Sequence, residues 1–104
     1  MTKLPLRKRK DFFEVLDETR REAEALAQQM RGFQPMRSIA DQLAAMQTMT
    51  AGGRTPTEDE RDSISIGLIA VRELEPATDA QLASFTARLH ELEGYFREWP
   101  ADAP

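Results

Sequence analysis

Apolar residues recur along this chain at spacings of three and four, the interval that lines them along one face of an α-helix. In the first such stretch the positions are Phe12, Leu16, Thr19, Ala23, Leu26 and Met30, and Gly32 followed by Pro35 closes it. The second stretch uses Met36, Ile39, Leu43 and Met46, broadened by Ala40 and Ala44, and ends at Ala51-Gly52-Gly53. Residues 52–56 read as a flexible link. The clearest stripe comes last: Leu82, Phe85, Leu89, Leu92, Phe96 and Trp99, after which Pro100 opens a loose end.

A third stretch, between these, reads two ways. ISIGLIAVRELE, Ile64 to Glu75, begins by alternating as a strand does, and isoleucine and valine favour strands. Its flanks argue for a helix. Thr57-Glu58-Asp59-Glu60 has the form of a capping box, and three acids in a first turn complement the positive end of the helix dipole. From that start Ile64, Leu68 and Val71 fall on one face with Gly67 and Leu74 beside them, while Ile66, Ile69 and Ala70 cover much of the rest. A helix apolar on most sides is predicted to be surrounded by others. Gly67 costs about 1 kcal/mol against alanine there, which close approach of a neighbouring helix would explain. Pro76 is expected to stop this helix, and Thr78-Asp79-Ala80-Gln81 to cap the next. Together the stretches predict an all-α fold, a compact up-down bundle of about four helices.

Length and charge refine this picture. The 104 residues suit one domain, 11–99, with a basic N-terminal tail over 1–10 and a loose C-terminal tail over 100–104. Five Lys or Arg and no acid occupy the first ten residues, leaving nine bases against eighteen acids elsewhere, a net of −9. Nucleic-acid binders carry their bases on the folded body, so this body suits a basic protein partner and no nucleic acid is expected. The first ten residues read as a solvated tail. The longest apolar run, Ile64 to Val71, is far short of the ~20 residues that cross a bilayer, and no apolar region of ~7 to 15 residues follows the basic start as a secretory signal requires. A soluble, cytoplasmic protein without a membrane partner is the expectation.

Catalytic chemistry is poorly supplied. There is no cysteine, and His90, the single histidine, has no second histidine or thiol with which to build a nucleophilic or metal site. Gly52-Gly53 lacks the lysine and hydroxyl residue of a phosphate loop. No catalytic, metal-binding or cofactor-binding residue is predicted, and hence no enzyme. Met30, Met36, Met46 and Met49 read as core filling. Glu58, Asp59 and Asp62 are accounted for by the helix start. Glu73 and Glu75 sit where the dipole disfavours acids by roughly 0.3 to 1 kcal/mol each. They are either solvated or retained because a basic partner meets them.

Gln42-Leu43, the glycine loop, the run from Ile66 to Glu75, and Thr78-Asp79 leading into a helix that ends in Tyr95-Phe96 together resemble a known family. It is that of small helical bacterial immunity proteins, the cognate antitoxins of type VI secretion effectors, whose best-known partner hydrolyses NAD. The likeness spans Phe12 to Phe96 and is most specific in Gly67 to Glu73, Gly-Leu-Ile-Ala-Val-Arg-Glu. It implies a protein that binds a secreted toxin domain, NAD(P)-hydrolysing or otherwise nucleotide-targeting, and covers its active site. A pocket that accepts phosphates attracts acids, so the expected contact residues are Glu73, Glu75 and Asp79, with Glu58, Asp59 and Asp62 secondary and Arg72 either orienting Glu75 or meeting the partner itself. The alternative is a self-associating structural or regulatory module that dimerises through the strip from Leu82 to Trp99.

Overall fold

The computed structural model describes residues 4–74 and 79–101, and every regular element among them is helical. Helices α1 (Arg9–Gln29) and α2 (Gln34–Met49) pair along their length as a hairpin. Gly32, at φ +89°, takes the left-handed turn between them that a side chain would resist. After a 3-10 turn, Ala51–Gly53, come α3 (Glu58–Asp62) and α4 (Ile66–Ile69), which runs directly into a π-helical turn, Ala70–Leu74. The last helix, α5 (Ala80–Glu98), packs against α1, and α4 sits between α2 and α5. This is the all-α bundle that the periodicity predicts.

The three long stripes meet in one core. Phe12 and Leu16 of α1, Met36, Ile39, Leu43 and Met46 of α2, and Phe85, Leu89, Leu92 and Phe96 of α5 are all fully buried. The methionines follow the core reading: Met36 and Met46 are inside, and Met30 and Met49 pack half-buried against the cluster. Most of the strip from Leu82 to Trp99 lies inside a single copy of the chain, with Leu82 half-buried. It is therefore not a surface through which two copies could associate. One charged side chain enters the core: Arg88 donates to Thr19 Oγ1 at 3.3 Å and to Glu22 Oε1 at 2.5 Å, tying α5 to α1.

The third stretch departs from expectation. The capping box forms as predicted, with Glu60 N–H donating to Thr57 Oγ1 at 3.1 Å and Thr57 N–H to Glu60 Oε1 at 2.8 Å. The helix it starts lasts only five residues. Ser63 then bonds its hydroxyl back to the Glu60 carbonyl at 2.6 Å, and Ser65 leaves helical geometry at φ −134°. Serine side chains compete for backbone groups in this way, which favours termination over continuation. The break resets the helical phase. Ile64, Ile66, Gly67, Ala70 and Leu74 turn inward, and Leu68 and Val71, expected on the buried face, are 56% and 51% exposed.

Both ends also differ from solvated tails at particular residues. Helix α1 already includes Arg9, whose guanidinium lies 4.1 Å from the Trp99 ring centroid. Its Nε donates to Tyr95 Oη at 3.2 Å and its Nη2 to the Pro100 carbonyl at 2.6 Å. The start of α5 is capped by Asp79, whose carboxylate accepts from Gln81 N–H at 2.7 Å and Leu82 N–H at 3.3 Å. Thr78 and Pro76, to which the expected cap and stop were assigned, lie outside the described residues.

Candidate partner-binding surface

A four-residue helix has too few internal hydrogen bonds to hold itself, so α4 must be positioned by its neighbours. Two side chains from other helices do this. Gln42, on α2, accepts the Ser65 N–H at 2.7 Å and donates through its amide to the Ser65 hydroxyl at 3.3 Å and the Ser38 hydroxyl at 3.2 Å. Glu93, on α5, accepts the Gly67 N–H at 2.8 Å, and its other oxygen accepts from Arg97 Nε at 3.0 Å. Arg97 in turn donates to the Ile64 carbonyl at 3.2 Å. Amide groups that a helix start leaves without partners are thus satisfied from both flanks.

Gly67 permits this closeness. A Cβ at that position would lie 3.2 Å from His90 Nδ1 and 3.3 Å from Glu93 Oε1. The glycine expected to mark a close approach of helices does so, and His90 forms part of what approaches it.

What α4 and the π turn present outward is an apolar pair with charges beside it. Leu68 and Val71 are two of the three exposed large hydrophobic residues among those described, the third being Leu4 at 38%. Arg72 and Glu73 are exposed next to them. π turns are rare in proteins and are frequently found at functional sites. Sequence reasoning missed Leu68 and Val71 as surface residues because it carried one helical phase through the Ser63–Ser65 break.

The expected acidic contacts do not form one patch. Glu58, Asp59 and Asp62 are exposed on α3, where Glu58 and Asp62 border a depression of about 460 Å³ together with Arg61 and Arg97. Arg61 donates to the Arg97 carbonyl at 3.3 Å, which holds α3 beside the C-terminal end of α5. Asp79 stands at the opposite end of α5, 18 residues earlier, or ~27 Å along the helix axis. Glu73 and Arg72 are exposed on the π turn, and Glu75 lies outside the described residues. In α3, the Arg54 guanidinium bonded to Glu60 holds that carboxyl below the ordinary carboxylate range, with the Thr57 amide adding to the effect.

Among the described residues no group of three or more His, Cys, Asp or Glu side chains is arranged to hold a metal ion, and no helix is long and apolar enough to cross a membrane. The fold and its surface define a small helical bundle in which Leu68 and Val71, the most exposed large apolar side chains among the described residues, stand on a short braced segment with charged residues beside them. The chain belongs to the Tsi6 family, whose model matches residues 12–98, and which comprises immunity proteins of type VI secretion. It is therefore a type VI immunity protein, and membership implies that it binds a cognate toxin protein. No curated protein and no solved structure matches the chain significantly.

Proposed function

We propose that this immunity protein acts in the cytoplasm, without catalysis of its own, by seating on the active-site cleft of its cognate toxin and excluding substrate. The toxin in this reading hydrolyses NAD(P) or attacks another nucleotide. The observation that carries the proposal is the charge of the body in a chain of this family: residues outside the first ten sum to −9. A cleft built for dinucleotide phosphates is electropositive, so a net-negative inhibitor is steered toward it and can occupy it.

Glu73 and Arg72 are the proposed charged contacts, with Glu75 and Asp79, which follow them in sequence, as further ones. Glu73 suits the role because its exposed carboxylate stands beside exposed apolar side chains. Asp79 also has a structural task as the cap of α5. Glu58, Asp59 and Asp62, beside the far end of α5, are secondary contacts that act through long-range attraction.

The test is co-expression with the toxin domain encoded beside this chain's gene. Restored growth and restored NAD(P), with inhibition in vitro that excess substrate relieves, is the expected result. A tight complex in which the toxin retains full activity would overturn the active-site reading. Glu73→Lys is expected to weaken inhibition while the helical spectrum stays unchanged.

A further inference from the structure

We infer that Leu68 and Val71 form the apolar anchor of the toxin interface, inserted as a rigid pair into a non-polar recess at the rim of the toxin's electropositive cleft. The inference rests on the immunity reading and adds to it where the attachment lies and what kind of surface receives it. Burial of a few well-packed side chains dominates most protein interfaces, and charges at the rim contribute mainly to rate and selectivity.

Three observations carry it. First, the exposure is confined. Leu68 and Val71 are more than half exposed in a segment whose other large apolar residues, Ile66, Ile69 and Leu74, are buried or half-buried. Second, the exposure is braced. Gln42 and Glu93 fix the start of α4 through the Ser65 and Gly67 amides, so the backbone beneath the pair is held before binding and the ordering cost is reduced. Third, the charge disfavours the simplest other occupant. A second copy would bring the same −9 body toward this one. A basic partner gains where a second copy would be repelled, and Glu73 beside the pair offers that partner a counter-charge.

Gln42 is a positioning residue in this arrangement. It holds α4 in place from α2, and its loss would loosen the ridge while removing none of its side chains.

The experiment measures binding of the full chain to the toxin domain encoded next to it, by calorimetry, with growth rescue in parallel. Leu68→Ser and Val71→Ser are expected to lower affinity about tenfold or more each, with melting and Trp99 fluorescence unchanged. Leu4→Ser, at the third exposed hydrophobic, leaves affinity unchanged. Gln42→Ala is expected to weaken binding severalfold and to speed exchange of the Ser65 amide, and Gln42→Glu, which keeps an acceptor for that amide, to recover both in part. If the unmodified chain binds and both serine variants bind equally well, the anchor is overturned and the immunity reading stands. If the unmodified chain does not bind, the toxin assignment falls and the anchor with it. A dimer of the free chain that dissociates on Leu68→Ser would assign the pair to self-association and overturn the anchor.

Discussion

Arg88 of α5 closes on Glu22 of α1 across the middle of the bundle, Nη2 to Oε1 at 2.5 Å, with the Arg88 side chain 8% exposed and that of Glu22 22%. The guanidinium also reaches Thr19 and lies 5.7 Å from the Phe85 ring centroid. A buried ion pair contributes little relative to a well-packed apolar pair, but removing one partner strands the other. Glu22→Ala is therefore expected to destabilise the fold by about 3 kcal/mol, read as a lower urea midpoint. Arg88→Met with Glu22→Leu is expected to recover most of that loss; equal damage from the double variant would show that the pair is valued for more than mutual compensation.

Gly67→Ala brings two opposed effects. Alanine stabilises a helix by about 1 kcal/mol over glycine, while the contacts at 3.2 and 3.3 Å force His90 or Glu93 to move. Overpacking costs about 1 to 3 kcal/mol, and displacing Glu93 also disturbs its bond to the Gly67 amide. The net expectation is a loss of about 1 kcal/mol. The loss should shrink in a His90→Ala background, where one of the two obstructions is gone; thermal melts of the four combinations decide it.

Arg9 and Trp99 couple the two ends of the described chain. The tryptophan caps α5 at φ 40°, edge-on to Phe12 at 5.4 Å, with the Arg9 guanidinium over its ring. Arg9→Ala should cost about 0.5 to 2 kcal/mol and alter the emission of Trp99, the single tryptophan. Arg9→Lys retains the charge but not the planar contact or the forked donors, so it should behave closer to alanine than to arginine.

Glu60 gives the fold a defined acid sensitivity. Its carboxyl is held below the ordinary range first by the hydrogen bond from Arg54 and then by the Thr57 amide. A carboxyl lowered in the folded state stabilises fully above its unfolded value, and that contribution disappears as pH falls through the lowered one. NMR titration should find the Glu60 carboxyl below the ordinary glutamate value, and Arg54→Ala should return it toward that value. An unmoved midpoint in that variant would assign the shift to the capping box alone.

The long helices were legible because their stripes persist for 16 to 21 residues, long enough for one periodicity to dominate any local irregularity. The third stretch was not, for reasons that are mostly non-local. Thr57 to Glu60 does cap a helix, but whether that helix continues past Ser63 depends on Gln42, 23 residues from Ser65, and Glu93, 26 residues from Gly67. Only the two serines gave a local sign of the break. The family motif, Gly67 to Glu73, spans the segment whose two most exposed apolar residues, Leu68 and Val71, a single unbroken helical phase places in the core, because the break shifts that phase.

The π turn has a consequence for how such a protein changes over generations. It winds one residue more than an α turn over a similar rise, and it lies between inward-facing Ile66 and Leu74. Deletion of a single residue there can be absorbed by tightening to α-helical winding, with both inward-facing residues retained. The order in which leucine, valine, arginine and glutamate meet a partner would then be reshuffled in one step. On the proposed toxin interface, specificity would then shift by loss of one codon as well as by substitution, without rebuilding the interior.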